Sequence, residues 1–415
     1  MNFYLKKYGF RSPSILTNPN DELNLIVVIP CFNEPDIIST LKSLNACDLP
    51  QGIAEIFIII NAGIHHDEKI KSQNLKTLEA INQWQSQNTL RFDFYPILID
   101  DLPKKHAGVG LARKIGMDEA VARFHDLNKD GIIICFDADS LCEPNYFVEI
   151  ENHFSKNPKT PGCAIRYEHP IAGEDFNQNV YDGIINYELF LRYYNQGLHY
   201  ANLPFAFHTV GSSMAIRSSA YQKQGGMNKR KAGEDFYFLH KIIALGNFTE
   251  LNSTKVIPSP RTSDRVPFGT GKAINDWIES ESAEYLTYDF KIWKILKAFV
   301  ETIPNLENID LEHLEFSKSE NHQPFIQFLN DNNFQDGLNE IRENSTNHSA
   351  FVKRFFVWFN AFRVLKLVHY LRDQQYPNQT IFKEAQNMAK IRGFYNNETT
   401  HTGLLLAYRT KEQTY

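Results

Sequence analysis

One stretch constrains this chain more than any other: Gly131-Ile132-Ile133-Ile134-Cys135-Phe136-Asp137-Ala138-Asp139-Ser140. A short, unbroken apolar run between turn residues is the pattern of a central strand buried on both faces of a parallel sheet. This run ends in two carboxylates. Alternation along an extended chain would send Asp137 and Asp139 to the same side. Two hard oxygen donors at a strand's carboxyl end suit Mg²⁺ or Mn²⁺, above all a cation that also touches phosphate. In open α/β sheets, that end of the strands is where ligands bind. Taken alone, an Asp-x-Asp is also a turn with two solvated acids. The segments around it give the chemical reading its weight.

Upstream, strands and helices alternate. Leu25–Ile29 is rich in β-branched residues and stops at Pro30. Asn33 or Glu34 can cap the helix that follows, with Pro35 in its first turn. Glu55–Asn61 predicts a second strand, about 67–85 a helix, about 92–99 a third strand, and the glycine-bearing loop from Lys105 feeds another helix. This alternation implies a parallel sheet covered on both faces. Further on, Cys163–Tyr167 and Thr209–Arg217 read as strands, Asn179–Gly197 as an aromatic helix, and 234–245 as a helix closed by Gly246. Beyond about residue 272 the pattern turns helical. The expected organisation is a lead-in over 1–22, an α/β domain over 23–271 and a mainly helical domain over 272–415.

With 415 residues there is room for two or three domains. A net charge of −6 leaves no overall basic field for nucleic acid. The five cysteines have no paired spacing and argue for reduced thiols. No apolar run follows Met1–Lys7 as in a signal peptide, and no stretch approaches a membrane-spanning length. The expected location is cytoplasmic.

Four segments occur in order: Pro30-Cys31-Phe32-Asn33-Glu34, the Gly108/Gly110/Ala112/Arg113 loop, Asp137-Ala138-Asp139, and Gly233-Glu234-Asp235. As an ordered set over about residues 23–270 they resemble the family 2 glycosyltransferases, inverting enzymes with a GT-A fold. The resemblance implies a Rossmann-like, mostly parallel sheet with helices on both faces. It implies a UDP- or GDP-sugar donor and a hydroxyl acceptor, a glycan or a lipid-linked glycan, in surface or extracellular glycan synthesis. Pro30, Asn33 and Glu34 would hold the nucleotide. Asn61 stands where the family usually has a base-reading aspartate. Gly108 and Arg113 would lie near the nucleotide, with Lys114 in place of the family's asparagine. Asp137 and Asp139 would hold Mn²⁺ or Mg²⁺ across the diphosphate, neutralising the leaving group. Arg261 and Arg265 could close over that diphosphate from a loop spanning 259–271. A third metal ligand has no signature; His199 and His208 are candidates by type alone. The Gln-x-x-Arg-Trp motif of the family's membrane-bound polymerising members is absent.

Inversion by one displacement needs one carboxylate to take the acceptor's proton. Ala-Gly-Glu-Asp-Phe occurs twice, at 172–176 and 232–236. The second copy follows the Gly211–Arg217 segment and opens an apolar helix, where the family places its Glu-Asp. Glu234-Asp235 is therefore the expected catalytic pair, with Asp235 the base, kept ionised by helix-start amides. Two other readings stay open. A nucleotidyltransferase making a nucleotide-sugar would want a Gly- and Lys-rich triphosphate loop where Cys31–Glu34 stands. A catalytically silent binding module would not need both acid motifs. The aromatic and basic segment Phe351–Arg363, continuing as helix to Arg372, either packs on its own domain or makes peripheral contact with an anionic membrane.

Overall fold

A computed structural model of the chain describes residues 2–263, 269–280 and 284–414; Arg265 lies outside them. The chain forms two compact units, one of residues up to 180 with 208–275, the other of 181–207 with 276–414.

The first unit is the expected mixed α/β structure. After a short helix α1 (Phe3–Tyr8), strands β1 (Leu23–Cys31), β2 (Ile53–Gly63), β3 (Asp93–Leu102) and β4 (Ile132–Cys135) alternate with helices α2 (Ile37–Asn45), α3 (Glu68–Gln87) and α4 (Val109–Asp126). There follow β5 (Leu141–Cys142), α5 (Tyr146–Lys156), β6 (Gly162–Tyr167), the long helix α6 (Gln178–Tyr200), most of which belongs to the second unit, then β7 (Met214–Arg217), α7 (Ser218–Lys223), α8 (Glu234–Ile243), β8 (Thr249–Ile257) and α9 (Thr270–Glu279), whose last residues belong to the second unit. The sheet order is β3-β2-β1-β4-β7-β6-β8-β5. The first four strands are parallel; β7 runs antiparallel to β4 and β6, and β5 to β8. Ile26–Ile29, Ile56–Ile60 and Ile132–Cys135 are buried, as central strands flanked by helices must be.

Three expectations about local structure change. The Thr209–Arg217 strand shortens to Met214–Arg217, because residues 210–213 close a turn through Ser213 N–H and Val210 O. The helix after β1 starts two residues later than expected, with Asp36 at the cap position. Asn33 is left-handed (φ 49°) and the Glu34 carboxylate is used elsewhere. The long C-terminal helix is two helices, His348–Trp358 and Ala361–Gln374, because Asn360 caps the second by accepting from the amides of Phe362 and Arg363.

The lead-in is a clamp. Helix α4 buries Lys114, Asp118, Glu119 and Arg123, and each is matched. Glu119 accepts from the backbone of Ser14 and Ile15 at 2.7 and 3.0 Å. Arg123 holds Glu55 of β2 and the Thr17 carbonyl. Asp118 accepts from Tyr4 Oη at 2.7 Å, Tyr221 Oη at 2.8 Å and Lys114 Nζ at 3.0 Å. Residues 2–17 thus satisfy charges that α4 could not otherwise bury.

The second unit is helical. Helix α10 (Phe290–Thr302) carries Phe299, whose ring meets Phe325, Phe359 and Phe316 at 4.7, 5.2 and 5.4 Å. Phe351, Phe355 and Phe359 are fully buried in this core, while Lys353, Arg354 and Val357 are exposed. These three rings pack inside the unit, while Phe356, Trp358 and Phe362 keep part of their surface exposed. No helix among the described residues is long and apolar enough to cross a membrane. A buried ion cluster of Glu188 and Arg192 on α6 with Arg409 and Glu412 completes the unit.

Replacing Asp118 by Ala strands the buried Lys114 ammonium and two tyrosine hydroxyls. Removing one partner of a buried pair costs about 3–5 kcal/mol. The urea transition of the Asp118→Ala protein should shift down accordingly, and an unchanged transition would contradict the clamp.

Candidate active site

Among the described residues, most candidates of the α/β unit lie near the end of a strand or the start of a helix. The acids of 137–139 come first. β4 stops at Cys135, so Asp137 and Asp139 are not aligned by strand alternation. They sit in a tight turn closed by Ser140 N–H on Asp137 O at 3.1 Å. Thr40 of α2 pins that turn by donating to the Ala138 carbonyl at 2.9 Å. Ser43, one helical turn on, accepts from Cys142 N–H at 3.0 Å.

Each acid meets an arginine. Arg113, in the first turn of α4 and buried, bridges Asp137 and Glu234. Burial works against its charge, but the two carboxylates outweigh burial and hold it above its ordinary pKa. The approach requires Gly211, since a Cβ there would stand 2.4 Å from Arg113 Nη1. Arg261 places Nη1 2.9 Å from Glu34 Oε1, with Nη2 on Oε2, and Nε 2.7 Å from Asp139 Oδ2. Glu34 is completely buried, whereas the Asp137 and Asp139 side chains keep 38% and 30% exposure.

Glu234 and Asp235 open α8 after Gly233, which is left-handed at φ 66°. Glu234 is buried against Arg113; burial raises its pKa, and although Arg113 partly offsets this, it ends at about 7. Asp235 is half-buried and accepts from Phe236 N–H at 2.7 Å. The expectation that helix-start amides dominate its titration is corrected. Burial raises the Asp235 pKa, and Arg113 and the amides of Phe236 and Gly211 only partly offset it. The first pentapeptide copy is different: Glu174 and Asp175 are exposed in a loop.

The turn after β1 is laced to β2 by α3. Asn74 accepts from Asn33 N–H at 3.0 Å and donates to Asn61 O at 3.0 Å, while Thr77 donates to Glu34 O at 2.7 Å. Asn61 is buried, and its Oδ1 has no partner among the described residues. Beside the same strand ends, the rings of Phe32 and His66 lie 4.8 Å apart, and Gly63 N–H bonds His66 Nδ1. Gly108 is the cap position of α4, with the Lys231 backbone 3.1 Å from where its Cβ would be. Pro30 is the penultimate residue of β1. Arg265 lies outside the described residues. Lys114 turns away into the Tyr4–Asp118 cluster, and His208 meets Tyr167 Oη at 3.4 Å.

Asn74, Thr77, Thr40 and Ser43 were not singled out from the sequence. The signal was there for α3, where Asn74 and Thr77 share the buried face with Ile81 and Trp84. Polar residues on an apolar helix face need partners.

Among the described residues, Glu34, Asp137, Asp139, Glu234 and Asp235 gather here around the guanidiniums of Arg113 and Arg261. Among the described residues no group of three or more His, Cys, Asp or Glu could hold a metal ion. Asp137 and Asp139, two part-exposed carboxylates on one turn, are the donors that would suit a cation completing its shell with ligand and water oxygens.

The sequence matches no protein-family model, and no curated protein matches it. Solved structures do resemble the chain. Among them is S. aureus TarS 1–349 in complex with UDP-GlcNAc, with 14% identity, coverage of 91% of this chain and 95% of that one, and a TM-score of 0.40. Another is the Pyrobaculum calidifontis mannosyltransferase PcManGT with GDP-Man and Mn²⁺, with 13% identity, coverage of 98% and 91%, and a TM-score of 0.33. GalNAc-T7 with UDP, GalNAc and Mn²⁺ has 14% identity, coverage of 75% and 54%, and a TM-score of 0.36.

A carboxylic acid whose pKa rises on folding stabilises the protein below its unfolded pKa, and that contribution is lost as pH climbs through the folded value. For Glu234 the window runs from about 4.5 to about 7. The stability difference between the native chain and Glu234→Gln should change across that window and level off above it. Urea unfolding at a series of pH values would expose a flat difference, which would contradict the raised pKa.

Proposed function

We propose that this chain is an inverting glycosyltransferase of the family 2 kind. It moves a sugar from a UDP- or GDP-sugar to a hydroxyl of a glycan or lipid-linked acceptor, in the synthesis of surface or extracellular glycans. One observation carries the reading: a single buried guanidinium, Arg113, ties the Asp137 turn to the helix start that bears Asp235. A leaving-group site and a general base are thereby held in one frame.

Asp137 and Asp139 are the residues that would hold Mn²⁺ or Mg²⁺. When bound, the cation would neutralise charge on the departing diphosphate. The Asn61 Oδ1 acceptor suits the imino N–H of uracil or guanine, and the Phe32 and His66 rings suit a base face. Asp235 accepts the acceptor's hydroxyl proton as the oxygen attacks the anomeric carbon. The new C–O bond forms as the sugar–phosphate bond breaks, and the nucleoside diphosphate leaves with that electron pair. With no protein nucleophile interposed, the configuration inverts. A raised pKa makes Asp235 a stronger base than a solvated aspartate, so long as it is ionised.

Asp235→Asn keeps the shape and removes the proton acceptor. Transfer should fall by roughly two to four orders of magnitude, while calorimetric binding of UDP or GDP with Mn²⁺ persists. Asp175→Asn, in the exposed copy, should transfer normally. A normal Asp235→Asn enzyme beside a crippled Asp175→Asn one would reverse the assignment. The rate should also rise with pH through the raised Asp235 pKa, because only the anion accepts a proton.

Asp139→Asn removes one of the two charged oxygens offered to the cation. Affinity for the diphosphate should drop sharply with Mn²⁺ present and change little without it. Equal affinity in both proteins with Mn²⁺ would remove the metal role.

A further inference from the structure

Arg261 offers three nitrogens and divides them between two acids of different character. Its terminal fork, Nη1 and Nη2, is taken by Glu34. Its Nε faces Asp139 Oδ2 at 2.7 Å. Glu34 is completely buried, so lifting the fork away would leave a buried carboxylate without its guanidinium, a costly state. Glu34 is also fixed from below, since its Oε1 accepts from Asp36 N–H at 3.2 Å and its carbonyl from Thr77. Asp139, in contrast, keeps 30% exposure. Of the two contacts, the one to Asp139 is the one that water or an ion can replace.

We propose that Glu34 is a positioning residue that anchors Arg261, and that Arg261 competes with a divalent cation for Asp139. Cation capture is then strong only when a diphosphate arrives to accept the displaced Nε–H. This inference rests on the reading of Asp139 as a metal ligand. It assigns Glu34 a role different from direct nucleotide contact.

The physical sequence is an exchange of partners. Without nucleotide, a cation must replace a guanidinium already neutralising Asp139, and Nε is left facing a positive ion. With a diphosphate present, a phosphate oxygen lies beside the cation and Nε–H turns to it. The fork never leaves Glu34, so the guanidinium plane stays aimed at the phosphate throughout. Charge-assisted bonds of this kind favour phosphate oxygens strongly. The site thus avoids holding a bare metal ion and commits to it together with the donor.

The test titrates Mn²⁺ into the full chain and reads free Mn²⁺ by electron paramagnetic resonance, with and without UDP or GDP. The native protein should bind Mn²⁺ weakly alone and tightly with diphosphate. Arg261→Gln should bind Mn²⁺ without nucleotide about ten- to a hundredfold more tightly, the range of a lost charged hydrogen bond, and gain less from adding diphosphate. Arg261→Lys, which keeps the charge but not the fork, should fall between and covers a failure of the Gln variant to fold. Glu34→Gln should shift nucleotide-free Mn²⁺ affinity in the same direction, and combining it with Arg261→Gln should add nothing. If diphosphate recruits Mn²⁺ to the native chain but Arg261→Gln gains no nucleotide-free affinity, the competition is overturned and the metal reading stands. If Arg261→Gln gains affinity and Glu34→Gln does not, the anchoring role of Glu34 is overturned. If the native chain binds no Mn²⁺ even with diphosphate, the metal reading itself falls.

Discussion

The structure of the site depends on one constraint: a guanidinium buried as deeply as Arg113 must be met by carboxylates on more than one side. Its side chain keeps only 4% exposure, and a lone buried charge would cost several kcal/mol. Asp137 comes from the turn after β4 and Glu234 from the start of α8. These elements are far apart in sequence, and the cation is what they share. Gly211 matters for the same reason, since it leaves room for the planar group to slide in. The frame that positions Asp235 is thus an electrostatic requirement of Arg113 and follows from burying it.

The apolar runs made most of the sheet legible. Ile132–Ile134, Ile56–Ile60 and Leu25–Ile29 have no reading except buried strands, and the helices between them follow from spacing and from the parallel arrangement. What stayed hidden was short or polar. β5 has two residues and β8 is written Thr-Glu-Leu-Asn-Ser-Thr-Lys-Val-Ile, too mixed to stand out. The 209–213 segment looked extended because its residues are small, but small residues equally permit the turn that brings Gly211 to Arg113. The lead-in looked like a tail. Its function as a clamp is visible only once the charges of α4 are known to be inside, and a helix with Lys114, Asp118, Glu119 and Arg123 reads from sequence as solvated.

The site residues divide in the same way. Acids at strand ends and helix starts are legible because their positions carry meaning in an α/β sheet. Their pairings are not, because Arg113 and Arg261 reach them across 24 to 227 positions of sequence. Nor are the polar side chains that hold loops rather than ligands. Thr40 and Ser43 on α2, with Asn74 and Thr77 on α3, fasten the two turns that flank β1 and β4. They do so by donating to carbonyls or accepting from amides that the strand ends leave unpaired. Loops fixed this way can present carboxylates at half-exposed positions without drifting.

The two adjacent acids at α8 show how one helix start can supply two chemistries. Glu234 points inward, meets Arg113 and is closed off from solvent, so any proton it takes up loosens the bridge to Asp137's partner. Asp235 is half-buried and accepts from the Phe236 amide rather than meeting a full cation. Arg113 is near enough to lower its pKa but not to cancel burial. Glu234 has a raised pKa of about 7, yet its carboxylate is shut in against Arg113 with almost no surface open to an incoming proton donor. Asp235, held by an amide in a half-buried place, keeps its position and part of its surface open. The inward acid can therefore build the frame while its neighbour takes the proton, a division that the pentapeptide at 172–176, open to water on all sides, has no means to make.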